Sequence, residues 1–521
     1  MKNIKYLLLS AVLIGFTACN DEEDFEDLLD NPTEEVVFPE LTSGTADFSK
    51  YVAIGNSLTA GFTDNALFIA GQENSMPNML SQKFALLGGG TFTQPLMDDN
   101  IGGLLFGGSP KDDGSFGPRL YFNGSGPASL PAMSTTEAFA PSLGSQNNMG
   151  VPGAASFHLL YDGYGNPANL LTDPPSANPY FVRMASAPNT TILGDALAQQ
   201  PTFVSLWIGN NDVLGYATSG GDQTVAAITP QATFEGSIDA IVGALQASGA
   251  QGVMANIPYV TTIPHFTTVP HNPVPLDAAT AGFLNSASAY GAYNGGLDAT
   301  LAYLIDNSTQ LEFFFPPTDT MTSEELATAE IAKRKVYFNE GAGNAVVIMD
   351  ENLTDLTAIN AALVSMRQAT EDDLLVLPAS SFIGTEAIPG NPTTVNGVAI
   401  PLADKWVLTP EEQAEIKTAT DNFNATLEAA ANSAGFAFVD ANSLMQQLDN
   451  GGYLDGDFNL TSSLVTGGAF SLDGVHPTAR GYALLANEFM REIDTTYGSN
   501  FEASGNLLDI GNYPTNYPPS L

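Results

Sequence analysis

The sequence predicts an α/β protein built on a doubly wound, mostly parallel β-sheet. Two observations support this fold class: short apolar runs, several of which end in glycine, asparagine or aspartate, and helical patterns between some of them. Strands that are buried on both faces of a parallel sheet are apolar throughout and do not alternate. Strands that alternate with helices along the chain favour a doubly wound arrangement.

The predicted strands are short apolar runs. The first contains Tyr-Val-Ala-Ile-Gly and leads directly into Asn56 and Ser57. The predicted strands lie within residues 51–57, 202–212, 252–260, 344–350, 374–378 and 436–441.

Three segments have apolar residues at helical spacing. Residues 229–250 begin with a Thr-Pro pair, which is typical of a helix start. Residues 409–435 end at Gly435, a favoured C-cap. Residues 476–493 form the third predicted helix.

Two long stretches interrupt this alternation. Residues 88–145 are rich in glycine, proline, serine and asparagine, and residues 265–405 mix proline-rich loop with short helical and strand-like segments. Both are longer than ordinary connections between elements. We expect them to be insertions that fold over the top of the sheet, as lids or walls of a substrate site.

The composition is strongly acidic. The 521 residues include 57 Asp and Glu against 15 Lys and Arg, which gives a formal net charge of −42 at pH 7. Such a surface repels nucleic acid and anionic membranes, so we expect no nucleic-acid partner. Cys19 is the only cysteine, so an internal disulfide is impossible.

The N-terminus has the features of a secretory signal peptide. Lys2 and Lys5 precede an apolar segment, residues 6–16, that is too short to span a bilayer. Small residues then precede Cys19, an arrangement that resembles a bacterial lipobox, in which the cysteine is lipidated and becomes the mature N-terminus. Phe16 stands where the usual lipobox has leucine. The alternative is an ordinary signal peptide with a chance cysteine.

The segment after the signal peptide is predicted to be a flexible tether, because its many carboxylates repel one another and it buries little apolar surface. This acidic run resembles the surface-export signals of Bacteroidota lipoproteins, which implies an outer-membrane lipoprotein exposed at the cell surface. No later apolar run reaches about 18 residues, so we expect no transmembrane helix. The predicted regions are a signal peptide (1–18), a tether (19–45), a main domain (46–500) and a C-terminal tail (501–521).

Ser57 stands at the end of the first predicted strand, in the turn before a helix. The carboxyl ends of parallel strands are where open α/β folds bind ligands. A serine at this point is either a helix N-cap or a nucleophile, and its position alone leaves both open.

Four sequence blocks decide between these roles. They are GNSLTAG at 55–61, NMGVPGAAS at 148–156, WIGNNDVLGY at 207–216 and DGVHPTARGY at 473–482. Together, and in this order, they resemble the SGNH, or GDSL-like, hydrolase superfamily of lipases and esterases. The resemblance implies a three-layer α/β/α sandwich with a flavodoxin-like sheet, and hydrolysis of esters by a serine nucleophile.

The resemblance extends to individual residues. Ser57, Gly153, Asn211 and His476 match the four signature residues of the superfamily, and Asp473 matches the acid three residues before the histidine. It covers residues from about 50 to 260 and from 435 to 495, and leaves out both insertions.

The residue types support the same catalytic roles on chemical grounds. A serine hydroxyl is a weak nucleophile until a base accepts its proton. Only His476 has an acid three residues before it: Asp473 is close enough to fix the tautomer of the imidazole. The other histidines, His158, His265 and His271, have no such neighbour.

The tetrahedral intermediate of ester hydrolysis needs donors for its oxyanion. Three candidates are the backbone N–H of Ser57, the N–H of Gly153 and the side-chain amide of Asn211. We expect Asp212 to hold its loop by local hydrogen bonds and not to react. Asn56 stands where the superfamily usually has an aspartate that braces the turn, and asparagine can accept similar backbone hydrogen bonds.

We therefore expect a lipid-anchored, monomeric serine esterase that cleaves carboxylic esters of lipids or small alcohols through an acyl-enzyme, without a metal or cofactor. One alternative is a carbohydrate O-acetylesterase that acts on polysaccharides, and another is a non-catalytic surface-binding lipoprotein on a hydrolase scaffold. The acidic stretch 449–459, with Asp455 and Asp457, offers calcium ligands but lacks EF-hand spacing, so we interpret it as a solvated turn.

Overall fold

The computed structural model describes residues 37–142, 144–391 and 393–521. The predicted signal peptide, Cys19 and the tether up to residue 36 lie outside the described residues. Among the residues that are described, none of the helices combines the length and the apolar character needed to cross a bilayer.

Strands occur both in a central sheet and in small pairs. In chain order they are β1 (Tyr51–Gly55), β2 (Leu120–Phe122), β3 (Pro127–Ser129), β4 (Asn148–Gly150), β5 (Phe203–Trp207), β6 (Gln251–Ala255), β7 (Val274–Leu276), β8 (Gly341–Asn344), β9 (Val347–Met349), β10 (Met366–Gln368), β11 (Leu374–Leu375), β12 (Val407–Leu408), β13 (Ala437–Val439), β14 (Tyr453–Asp455) and β15 (Phe458–Leu460).

The central sheet is parallel and has five strands in the order β13-β6-β5-β1-β4. If the five strands are numbered 1 to 5 in chain order and read from the β4 edge, their spatial order is 2-1-3-4-5, which is flavodoxin-like. Every residue of β1 and β5 is buried, as expected for strands covered on both faces. The predicted α/β fold class is confirmed.

Two predicted strands do not join this sheet. The apolar run 344–350 forms β9, which pairs antiparallel with β10, and the run 374–378 forms β11, which pairs antiparallel with β12. The prediction of parallel core strands was wrong there, because a short apolar run indicates burial without indicating which elements cover it. Conversely, the three-residue strand β4 was too short and too polar to be predicted as a strand.

Helices flank the sheet and complete the three layers. In chain order they are α1 (Ser57–Ala60), α2 (Ile69–Glu73), α3 (Met76–Ala85), α4 (Pro179–Met184), α5 (Ile192–Ala198), α6 (Asn211–Thr218), α7 (Gln231–Ala247), α8 (Pro264–Thr267), α9 (Ala278–Leu284), α10 (Tyr290–Asp306), α11 (Ser308–Phe314), α12 (Ser323–Arg334), α13 (Ala379–Phe382), α14 (Pro410–Ala434), α15 (Ala441–Asp449) and α16 (Ala479–Tyr497). Helix α14 packs against α7, and α16 packs against β13 and α3.

The three predicted helices correspond to α7, α14 and α16. Helix α14 begins with a capping box in which Thr409 and Glu412 bond each other's backbone N–H, and it ends at Gly435 with φ of 68°. Thr478 caps α16 by accepting a hydrogen bond from the N–H of Gly481. Local sequence therefore determines where these helices begin and end.

The two predicted insertions carry small antiparallel pairs, β2–β3 in the first and β7–β8 and β9–β10 in the second. The C-terminal tail packs against the first insertion, where the buried Arg119 donates hydrogen bonds to the carbonyls of Tyr517 and Pro518 at 3.4 and 2.6 Å. The predicted domain boundaries remain predictions.

Candidate active site

Ser57 follows directly from the central strand β1. Asn56 caps α1, because its side-chain oxygen accepts a hydrogen bond from the N–H of Leu58 at 3.0 Å, and Ser57 is the first helical residue. The cap role that the position of Ser57 left open is thus filled by Asn56. A Cβ at Gly55 would lie 2.2 Å from Oγ1 of Thr59, so this strand end tolerates only glycine.

The strand order brings the four sequence blocks together. Strand β1 lies between β4 and β5, with Gly55 opposite Gly150 on one side and Trp207 on the other. The loops that carry Ser57, Gly153 and Asn211 therefore leave three adjacent parallel strands at the same sheet edge. The strand order reverses between β1 and β5, and such a reversal is where open α/β sheets form a crevice.

His476 and Asp473 occupy the loop before α16. The Nε2 of His476 lies 2.9 Å from the Oγ of Ser57, and its Nδ1 lies 2.9 Å from Oδ2 of Asp473. An ionised Asp473 accepts the Nδ1–H, which leaves Nε2 free to accept the hydroxyl proton of Ser57. The ring of Phe62 covers the imidazole, with ring centroids 4.6 Å apart.

Asp473 is held ionised by its surroundings. Its Oδ1 accepts the backbone N–H groups of Val475 and His476 at 2.8 Å each, and Oδ2 accepts the N–H of Asn65 at 2.9 Å. Burial raises the pKa of Asp473, but the charge of His476 and these hydrogen bonds outweigh burial and lower the pKa to about 2. The carboxylate is therefore charged throughout the physiological pH range.

The candidate oxyanion donors are carried by the chain segments that follow β1, β4 and β5. Gly153 is exposed and left-handed, with φ of 81°, and within the described residues neither its N–H nor that of Ser57 donates to a protein acceptor. The side-chain amide of Asn211 donates to the carbonyl of Ala154 at 2.9 Å, which joins the second and third blocks. The role of these groups in catalysis stays a prediction.

Asp212 fixes the same two blocks from beneath. It is 1% exposed, and its two carboxylate oxygens accept the N–H and the hydroxyl of Ser156 at 2.8 and 2.7 Å. Burial raises the pKa of Asp212, and the hydrogen bonds from Ser156 oppose that rise. This geometry agrees with the structural role predicted for Asp212.

Sequence reasoning missed two residues that support the catalytic loop. Buried Asp64 accepts a hydrogen bond from the N–H of Leu472 at 3.0 Å, and burial raises its pKa to about 7. His265 was set aside because no acid lies near it in sequence. Its backbone N–H donates to the carbonyl of Gly474, and it lines, with Asp473, the groove described below as the open groove. For Asp64, the available signal in the sequence was the Asp-Asn pair at 64–65, because these residue types tolerate the left-handed backbone that favours a turn. In the structure both residues have positive φ.

Two spaces meet at His476. The first, called here the apolar cavity, has a volume of about 90 Å³ and includes Ser57, Asn211 and His476 in its wall. Most of its lining is apolar: Leu58, Trp207, Leu214, Val260, Ile263, Ala441, Leu444, Met445, Leu448, Phe470, Leu484 and Leu485.

The second, called here the open groove, has a volume of about 760 Å³. It lies on the Asp473 side of the imidazole, and both insertions contribute to it: Leu120 and Pro127 from the first, Leu377, Ser380 and Ile383 from the second. The role of the insertions as walls of a substrate site stays a prediction.

Comparison with known proteins links the chain to one family. The sequence model of the family described as GDSL-like Lipase/Acylhydrolase matches residues 334–489, a segment that contains Asp473 and His476 but not Ser57. No curated protein matches the chain. Among solved structures, an extracellular lipase from Streptomyces rimosus is similar, with 11% identity over 86% of this chain and 98% of that chain and a TM-score of 0.28. So distant a superposition carries no weight beside the sheet order and the family match.

Proposed function

We propose that this chain cleaves carboxylic esters with a short acyl chain. The premise of this proposal is that the chain belongs to the SGNH/GDSL-like hydrolase superfamily and is a serine ester hydrolase. The observation that carries this proposal is the apolar cavity, which opens beside the Oγ of Ser57. The acyl chain is the part of an ester whose transfer from water to such an apolar lining is favourable.

The proposed reaction uses the three groups in sequence. Ser57 attacks the ester carbonyl while Nε2 of His476 takes its proton, and Asp473 stabilises the imidazolium that forms. His476 then returns the proton to the departing alcohol. Water, activated by the same imidazole, hydrolyses the acyl-enzyme and frees the carboxylic acid. The N–H groups of Ser57 and Gly153 and the amide of Asn211 would hold the oxyanion in both steps.

The size of the apolar cavity favours short acyl chains. Its volume of about 90 Å³ is below the ~150 Å³ of an apolar cavity that accommodates a benzene ring. A butyryl chain suits such a space better than a palmitoyl chain, which would extend beyond the wall that Ala441, Leu444 and Leu448 of α15 form.

A chain-length series tests this assignment. With 4-nitrophenyl acetate, butyrate, octanoate and palmitate, we expect the highest kcat/KM for butyrate and the lowest for palmitate. Leu448→Trp, which fills the cavity, should lower kcat/KM for butyrate at least tenfold and change that for acetate much less. Gln447→Trp is the matched control, because Gln447 is the exposed neighbour on the same helix. Equal loss with both esters, or highest activity on palmitate, would refute the acyl-pocket proposal.

A carbohydrate O-acetylesterase is the second candidate, and the open groove favours it. A glycan bound between the two insertions would present an acetyl group to Ser57 from the side where Ser380 and Thr268 add hydroxyls to the lining. Acetylated xylan, run beside the ester series, separates the candidates: release of acetate faster than cleavage of the butyrate ester would favour the polysaccharide substrate.

We also propose that the protein is anchored in the outer membrane by lipid on Cys19, with its main domain outside the cell. The lipobox-like sequence before Cys19 and the acidic run after it support this location. Mass spectrometry of the mature protein should find a lipidated N-terminal cysteine, and Cys19→Ser should leave the protein outside the membrane fraction. An unmodified mature N-terminus at another residue would refute the anchor and leave the esterase proposal intact.

A further inference from the structure

Three carboxylates meet where the second insertion joins the core. Glu351 follows β9, Asp404 begins a 3₁₀ helix (Asp404–Trp406), and Glu412 lies in the first turn of α14. One carboxylate oxygen from each lies within 4.8 Å of the others. The cluster thus joins two separate parts of the insertion to a core helix.

Two buried oxygens in this cluster lack a hydrogen-bond donor. Glu412 is 4% exposed, and its Oε2 accepts the N–H and hydroxyl of Thr409 at 2.7 and 2.9 Å. Within the described part of the chain, its Oε1 and the Oδ1 of Asp404 are buried and have no partner. A buried acceptor without a donor is unfavourable by about 1–3 kcal/mol, so these two oxygens together form a favourable place for a cation or a proton.

The backbone makes room for the Glu412 side chain. A Cβ placed on Gly221 would lie 1.8 Å from Oε1 of Glu412, so only glycine lets the carboxylate occupy this position. Gly220 and Gly221 both have positive φ and follow α6. The position of the Glu412 carboxylate is therefore fixed by its packing against the loop that follows α6.

Among the described residues, no basic side chain forms an ion pair with the cluster. Of the salt bridges among described residues, none involves Glu351, Asp404 or Glu412; Arg367 and Lys333 instead pair with neighbouring Asp350. Three acids held this close stay ionised only if a cation joins them.

We propose that Glu351, Asp404 and Glu412 bind a calcium ion. Hard divalent cations take oxygen ligands, and the cluster offers carboxylates only, without the histidine or cysteine that zinc prefers. Ca²⁺ suits it better than Mg²⁺, because it accepts irregular geometry and more ligands, and the exposed Glu351 leaves space for water to complete the coordination. A proton shared between the carboxyl groups is the competing explanation.

The proposed ion would fasten the insertion to the catalytic core. Glu351 and Asp404 belong to the insertion that supplies a wall of the open groove, and Glu412 contacts the loop that follows α6. Helix α6 begins at Asn211, the candidate oxyanion donor. The ion therefore acts on stability and on the placement of the groove wall and takes no part in the ester chemistry.

Calorimetric titration of the chelator-treated full-length protein with CaCl₂ tests the proposal. A chain of net charge −42 attracts divalent ions diffusely, so the titration is run in about 150 mM NaCl, where the Debye length is about 8 Å. We expect one saturable site with a Kd between about 1 and 100 µM, and a rise of about 3 °C in the midpoint of thermal unfolding at saturation.

Three variants make the result specific. Glu351→Gln, which changes an exposed side chain and leaves folding intact, and Glu412→Gln should both abolish the saturable heat and the calcium-dependent rise in unfolding temperature. Glu411→Gln removes an exposed charge one position from Glu412 and should retain both. Absence of saturable binding in the parent, unchanged binding in Glu351→Gln, or tighter binding of Mg²⁺ than of Ca²⁺ would overturn the assignment.

Discussion

The imidazole of His476 lies 2.9 Å from the hydroxyl of Ser57, although 419 positions separate them in the chain. Strand β1 delivers Ser57 to the sheet edge, and the capped N-terminus of α16 fixes the loop that carries His476. Because Asp473 occupies the Nδ1 side of the ring, only Nε2 faces the hydroxyl. This geometry suits the proposed roles of nucleophile for Ser57, base for His476 and orienting acid for Asp473.

Ser57→Ala should abolish covalent labelling by a fluorophosphonate probe and reduce ester turnover to background. The probe phosphonylates a serine only where a base activates the hydroxyl, so labelling separates an enzyme from a binding protein on the same scaffold. Ser380→Ala, an exposed serine of the open groove, is the control and should label stoichiometrically. Failure of the folded parent protein to label would favour the binding protein.

His476→Ala should lower kcat by at least a thousandfold, and Asp473→Asn should lower it less. The histidine carries the proton in every step, whereas the aspartate orients the ring and stabilises its charged form. Steady-state kinetics on 4-nitrophenyl butyrate, with circular dichroism to verify folding, provides the measurement. Parental rates in both variants would remove His476 and Asp473 from the mechanism.

Local sequence predicted the strand ends and helix starts that carry the candidate site, because each block combines such a position with a distinctive residue. Ser57 and Asn211 follow apolar runs that became β1 and β5, and the topology of a parallel sheet then places them side by side. The insertions were less predictable, since β9 and β11 have the composition of core strands but pair locally. Glu351 and Glu412 lie 61 positions apart and share no spacing rule, so only the folded chain brings them together.

Asn211→Ala should lower kcat by about 10²–10³ and leave KM within about threefold. An oxyanion donor contributes mainly when negative charge develops on the carbonyl oxygen, so its loss is expressed in kcat. Burst kinetics on an activated ester should show slower acylation. A variant that keeps the parental kcat would exclude the Asn211 amide as an oxyanion donor.

Asp212→Asn should reduce both stability and kcat, because the amide presents a donor where the carboxylate accepted two hydrogen bonds from Ser156. The loss in unfolding free energy should be about 1–3 kcal/mol. Asp195, on α5, accepts the same two kinds of hydrogen bond from Ser186, and neither residue borders the apolar cavity or the open groove. Asp195→Asn should therefore leave kcat unchanged, and equal losses of kcat in the two variants would contradict a specific role for Asp212 beneath the oxyanion loop.

The depressed pKa of Asp473 predicts a defined dependence of stability on pH. Its folded value of about 2 lies below the ordinary 3.8 of an aspartate, so ionised Asp473 stabilises the folded state above pH 4, and this contribution disappears as the pH falls toward 2. The difference corresponds to about 2 kcal/mol. Because many other carboxylates titrate in the same range, the quantity to measure is the difference in unfolding free energy between the parent and Asp473→Asn. Denaturant unfolding at pH 6 and at pH 2.5 should show that difference shrinking toward acid; a difference that is constant or grows would mean that Asp473 is not held ionised by His476 in the folded protein.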